Sequence, residues 1–158
     1  MPLVILGVDP GIADTGFGVI SLEKGGRARC LEYGSIKTKC GLLLEDRLEI
    51  LAHELDKIIK KYKPDRSAVE ELFFNKNVKT ALIVGQARGV VLLTLRQNKV
   101  PISNFTPSQV KQTVSSYGQA SKQQMQRMVK IILNLKEIPR PDDAADALAI
   151  ALTALNHK

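Results

Sequence analysis

Four acidic residues stand where an apolar core is expected. Asp9 ends the run Leu3-Val4-Ile5-Leu6-Gly7-Val8, and Glu70 ends Ser67-Ala68-Val69. Asp143 and Asp146 lie in the alanine-rich stretch Asp143-Ala144-Ala145-Asp146-Ala147-Leu148-Ala149-Ile150. A carboxylate at the end of a buried run costs free energy unless a charge neutralises it. Four of them, distant in sequence, point to one shared partner, and a divalent cation bound by oxygen ligands is the simplest. Four carboxylates can hold two Mg²⁺ ions about 3.5–4 Å apart, a spacing suited to in-line phosphoryl displacement, with Mn²⁺ able to take their place.

The elements that must position these groups follow from the hydrophobic pattern. Residues 3–9 form a buried strand, 15–22 a second and 29–38 a third, separated by turns at Gly11/Asp14 and Gly25-Gly26. Three strands with tight turns predict an antiparallel meander. Residues 42–62 switch to helical period, with Leu44, Leu48, Leu51, Leu55 and Ile58 in one stripe, and Pro64 stops the helix. Residues 66–70 form a short strand, 78–97 a helix and 100–105 a fifth strand. A short helix starts at Pro107, capped by Thr106 or Ser108; another runs from Ser121 to Leu135; the last runs from about Asp142 to Leu155.

The result is an α/β chain with a mixed five-stranded sheet and helices on both faces. With 158 residues and no linker, repeat or low-complexity tract, one domain over 1–158 is expected. Asp143 and Asp146, three apart on a helix, share a face. If the strands ending at Asp9 and Glu70 are neighbours, their carboxylates meet at one sheet edge, and a helix across that edge closes the site. Only one of Glu70 and Glu71 can enter it, because adjacent strand residues point to opposite faces. Glu70 shares its face with Ala68. Asp142 is expected to cap the last helix, although its division of roles with Asp143 stays open.

Lys and Arg number 23 against 16 acids, a net charge of +7. That balance favours a polyanion, either nucleic acid or an anionic membrane. Acids buried in a basic chain suit a phosphodiester-cleaving metal site better than a membrane surface. Two histidines, His53 and His157, argue against zinc chemistry and histidine triads. No apolar run is read as approaching the roughly 20 residues of a membrane span, and no basic leader precedes the first strand, so a cytoplasmic location without a signal peptide is expected. Cys30 and Cys40 lack metal or redox spacing and are expected to be free thiols.

Six stretches occur in order: Gly7-Val8-Asp9-Pro10-Gly11, Thr15-Gly16-Phe17-Gly18, Val69-Glu70-Glu71, Gly85-Gln86-Ala87-Arg88-Gly89, Gln109-Val110-Lys111-Gln112-Thr113-Val114 and Asp143-Ala144-Ala145-Asp146-Ala147-Leu148-Ala149. Together they resemble the bacterial RuvC Holliday-junction resolvases, from Leu3 to about Ala154. The resemblance implies an RNase H-like fold and a homodimeric Mg²⁺-dependent endonuclease. Such an enzyme nicks two opposed strands of a four-way DNA junction symmetrically in recombination and repair, leaving 5′-phosphates. It implies RuvA and RuvB as partners. It places the catalytic, metal-binding carboxylates on Asp9, Glu70, Asp143 and Asp146, two basic positions on Lys111 and Lys122, and a junction-contacting aromatic on Phe73.

Beside that resemblance, Phe73 and Phe74 lie in a polar loop with Lys76; Phe73 is favoured for DNA contact and Phe74 for packing, and the choice between them stays open. Lys76, Arg127 and Lys130 join Lys111 and Lys122 as DNA-binding candidates, because a nuclease must hold a bent polyanion. Gly85 and Gly89 are expected to pack on the sheet, with a dimer seam as the bolder reading. Three other functions compete: an actin-like ATPase half, a non-catalytic junction-binding protein, and an RNase H-fold nuclease acting on RNA.

Overall fold

The computed structural model describes residues 1–72 and 77–157. Five strands form one sheet: β1 (Leu3–Asp9), β2 (Asp14–Leu22), β3 (Ala28–Lys37), β4 (Arg66–Glu70) and β5 (Ile102–Phe105). Five helices are interleaved: α1 (Leu44–Tyr62), α2 (Val78–Gln97), α3 (Pro107–Ser115), α4 (Lys122–Ile132) and α5 (Asp142–Asn156). The strand order is β3-β2-β1-β4-β5. β1, β2 and β3 pair antiparallel, whereas β4 runs parallel to β1 and β5 parallel to β4. The sheet is therefore mixed, as its sequence pattern requires.

Alternation along β1 assigns its side chains to two cores. Ile5 packs with Ala68 and with residues of α3, α4 and α5 on one face. Leu6 and Val8 pack with Leu51, Leu55, Val91 and Leu95 of α1 and α2 on the other. Asp9 continues the face of Ile5 and Gly7, and Glu70 that of Ala68, so both carboxylates emerge on the α5 side.

α5 is the central element of that side. Ten of its 15 residues are buried, so a carboxylate among them needs a specific reason. Its backbone lies directly on the sheet because glycines admit it. A Cβ on Gly7 would stand 2.1 Å from Ala147 O, and one on Gly16 would stand 1.9 Å from Asp143 O. Neither distance is tolerable for real atoms, so any side chain there would lift the helix and its two acids off β1 and β2.

α3 and α4 start with reciprocal capping boxes. Thr106 Oγ1 accepts from the Gln109 amide, while the Gln109 side chain accepts from the Thr106 amide. Ser121 and Gln124 repeat the arrangement for α4. These boxes set the helix starts that carry Lys111 and Lys122. α4 ends at Ile132, three residues before the expected Leu135.

α2 departs from expectation in two ways. Its 20 residues have the length and apolar composition of a membrane span, a test that core helices of globular proteins also pass, so the expectation of no such stretch is corrected. Ala87, Val91 and Leu95 are buried against the sheet. Gly85 and Gly89 are not part of that packing face. Among the described residues, a Cβ on Gly89 would meet nothing within 4 Å, and one on Gly85 would meet only Leu72.

Candidate active site

The parallel pairing of β1 with β4 brings the ends of both strands to one edge. The register aligns Gly7 with Ala68 and Val8 with Val69, which carries Asp9 and Glu70 out side by side. α5 crosses this edge with Asp143 and Asp146 in its first turns. One oxygen each from Asp9, Asp143 and Asp146 lies within 4.8 Å of the other two. That is a carboxylate cluster with the donor chemistry of a hard divalent cation site.

Glu70 stands next to this trio and outside its 4.8 Å limit. It borders two clefts. The first, of about 300 Å³, is lined by Glu70 and Asp146 together with Lys111 and Lys122. The second, of about 250 Å³, is lined by Asp9, Glu70 and Arg88. Glu71 is exposed and also borders the second cleft.

The electrostatics show how closely these acids are confined. Burial raises Asp9 from an ordinary 3.8 to about 8, and the charges of Glu70, Asp146 and Asp143 push the same way. The side-chain interaction between Asp9 and Asp146 pushes Asp9 further up and Asp146 down. Glu70 is raised to about 7 by burial and by Asp146, with Lys111 opposing. Asp143 and Asp146 are also raised, chiefly by burial, and Lys122 opposes in both cases. Desolvated like charges this close favour protonation unless a cation replaces the proton. The residues present therefore fit a divalent metal.

Asp142 is not a side-chain cap. It is the first residue of α5, which has no side-chain cap hydrogen bond. Its carboxylate turns to α4, where it pairs with Lys122 at 3.1 Å and accepts from Gln126 Nε2 at 3.1 Å and Arg140 at 3.0 Å. The Lys122 ammonium holds Asp142 below the usual carboxylate range. Asp142 thus steadies a cleft lysine, while Asp143 joins the acidic cluster.

The remaining candidates fall unevenly. Lys111 is half-buried and Lys122 exposed, and both line the first cleft. Arg127 and Lys130 lie farther along α4, outside that lining. Phe73, Phe74 and Lys76 lie outside the described residues. Cys30 and Cys40 are free, and burial pushes the Cys30 thiol up to about 11, which leaves it poorly reactive.

Sequence reasoning gave no role to Arg88. Its Nε donates to Glu70 O at 3.1 Å, and its terminal nitrogen donates to Asn104 Oδ1 on β5. The available signal was a cation in the middle of α2, between the two glycines of the Gly85–Gly89 stretch.

Comparison with known proteins decides the lineage. The family model described as "Crossover junction endodeoxyribonuclease RuvC" matches residues 5–154. The chain belongs to the RuvC family. It is 57% identical over 150 residues to the Crossover junction endodeoxyribonuclease RuvC of Halothermothrix orenii, covering 95% of this chain and 90% of that one. The counterpart from Alkaliphilus oremlandii is 52% identical over 150 residues, covering 95% and 91%. The solved Thermus thermophilus RuvC in complex with Holliday junction substrate superimposes with a TM-score of 0.90 at 38% identity, over 96% of this chain and 92% of that one. The yeast mitochondrial Holliday junction resolvase Ydc2 shares the fold, with a TM-score of 0.69 at 14% identity over 96% and 77%. The architecture is RNase H-like, and the family is that of the crossover junction endodeoxyribonucleases.

Proposed function

We propose that this chain resolves four-way DNA junctions by metal-dependent nicking, with Asp9, Glu70, Asp143 and Asp146 as its catalytic carboxylates. The observation that carries this reading is the convergence of Asp9, Asp143 and Asp146 oxygens within 4.8 Å, beside a cleft lined by Lys111 and Lys122. Residues 1–158 act as one nuclease domain in this account, working in the cytoplasm.

Asp9, Asp143 and Asp146 hold the cation together with Glu70, which stands on the wall between the two clefts. Bound Mg²⁺, with Mn²⁺ able to replace it, supplies Lewis-acid stabilisation of the phosphoryl oxygens and lowers the pKa of water. Lys111 and Lys122 neutralise the DNA strand across the cleft, with Arg127 and Lys130 extending the basic track along α4. Asp142 holds Lys122 toward the cleft until phosphate competes for it. Phe73 serves as the junction-contacting aromatic by family resemblance, and Lys76, three residues on, adds a phosphate contact.

A two-fold junction presents two equivalent scissile phosphates, which a two-fold protein matches. We place the dimer seam on the outer side of α2. Val78, Leu82 and Leu93 are 61%, 59% and 57% exposed there, and Gly85 and Gly89 fall between them at helical spacing. A row of exposed apolar side chains with a small-residue gap favours close helix contact. RuvA and RuvB enter as partners through family resemblance.

The test is incubation with a synthetic immobile four-way junction, with Mg²⁺ or with chelator, followed by mapping of both nicks. Metal-dependent nicks at symmetry-related positions, each leaving a 5′-phosphate, are expected. Preferential cutting of RNA in competition would favour the related RNA nuclease, and binding with no metal-dependent product would favour the non-catalytic reading.

A further inference from the structure

The Gly85–Gly89 motif contains one charged residue, Arg88, whose contacts lie outside the cleavage chemistry described above. The amides in and just after β4 that face the β5 side belong to odd-numbered residues: Ser67 N–H donates to Pro101 O, just before β5, and Glu71 N–H to Phe105 O. The backbone of Glu70 therefore turns toward β1. Continuing the Gly7–Ala68 and Val8–Val69 register by one step sets Asp9 opposite Glu70, and makes Pro10 the next donor for the Glu70 carbonyl. Proline has no N–H. The ladder thus fails at the residue that must hold its carboxylate steady.

Arg88 fills that gap from the other face of the sheet. Its Nε donates to Glu70 O at 3.1 Å, and the same guanidinium reaches Asn104 on β5. In register, Asn104 stands opposite Val69. One planar fork therefore ties α2 to the last residue of β4 and to the neighbouring strand. A lysine, with a single ammonium on a flexible stem, cannot reproduce that fork.

We infer that Arg88 is a positioning residue for the metal-dependent reaction, substituting for the N–H absent at Pro10 and fixing Glu70 at the edge of the site. The inference rests on the nuclease reading above. Arg88 acts through the backbone, whereas Lys111 bears on the Glu70 carboxylate itself.

The test uses the full chain and Arg88→Gln, Arg88→Lys and Asn104→Ala variants. Three quantities are measured for each: Mn²⁺ affinity of the DNA-free protein by electron paramagnetic resonance, junction affinity in chelator, and single-turnover nicking across a Mg²⁺ series. Loss of an outer-shell support typically weakens metal affinity or activity by about 10–100-fold. Arg88→Gln is expected to show a loss in that range in both Mn²⁺ affinity and nicking, with junction affinity within about twofold. Arg88→Lys should recover part of the loss, and Asn104→Ala should show a smaller loss of the same kind. Unchanged Mn²⁺ affinity in Arg88→Gln, or a parallel collapse of junction binding and melting temperature with no partial recovery in Arg88→Lys, would overturn the positioning role. The native chain is the control for the underlying reading: if it nicks the junction normally while Arg88→Gln behaves as native, only this inference fails.

Discussion

At the scale of single residues, the site is a set of acids too crowded to be ionised together without help. Asp9 carries the largest consequence. Its pKa is about 8 in the folded chain against an ordinary 3.8, with burial as the leading cause. The folded state therefore binds the proton more tightly than the unfolded state does. Stability contributed by this group is greatest at low pH and is lost as pH rises through about 8. In the absence of divalent cation, the melting temperature should fall from about pH 5 to about pH 8.5, and more steeply in the native chain than in Asp9→Asn. Added Mg²⁺ should flatten the native slope, because the cation displaces the proton. Equal slopes in the two proteins without metal would show that Asp9 is not the titrating group. Much of this was readable from residue types, since acids ending apolar runs signal a functional cost. The role of Asp142 was not. A first-turn acid can serve as a cap or as a partner for another helix, and helical spacing is the same in both cases. Only the position of α4 reveals Lys122 and Gln126 as its partners.

At the scale of elements, positioning depends on how closely α5 approaches the sheet. Gly16 pairs with Asp9 across β1 and β2 and lies under Asp143. In Gly16→Ala, the added carbon would overlap Asp143 O at 1.9 Å, so α5 must move. Overpacking of this kind costs about 1–3 kcal/mol or more. Chemical denaturation should register that loss, and divalent-cation affinity should fall with it as Asp143 leaves Asp9. Native metal affinity in a folded Gly16→Ala protein would argue against α5 as the lid of the site. The strands and most helix boundaries were legible because period-two alternation, tight turns and capping residues are local signals. The parallel neighbour relation of β1 and β4 was only a condition in the sequence argument. It is a long-range pairing, set by burial on both sheet faces and not by any short motif. The faces of α2 were misread for a related reason. Small residues at helical spacing suit a sheet contact and an outer seam equally well, and the apolar residues around Gly85 and Gly89 do not separate the two.

At the scale of the whole molecule, the account requires two copies of the chain arranged about a two-fold axis. The outer side of α2 supplies an apolar surface on a protein of net charge +7. Placing like charges there should separate the copies. Leu82→Glu combined with Leu93→Glu is expected to convert a dimer to a monomer in analytical ultracentrifugation, with far-ultraviolet circular dichroism unchanged. Junction nicks by the monomer should lose their pairing, with one strand cut independently of the other. A variant that remains dimeric would place the seam elsewhere. Because α2 also carries Arg88, the helix proposed to meet the partner is the helix that steadies Glu70.

The most direct measurement of the central claim is the behaviour of Asp9→Asn on a synthetic four-way junction. The substitution keeps size and leaves this position unable to ionise, and so unable to bind a cation as a carboxylate. The account predicts junction binding at native affinity in chelator and no detectable nicking of either strand at any Mg²⁺ concentration. Native-rate, symmetric nicking by Asp9→Asn would contradict it.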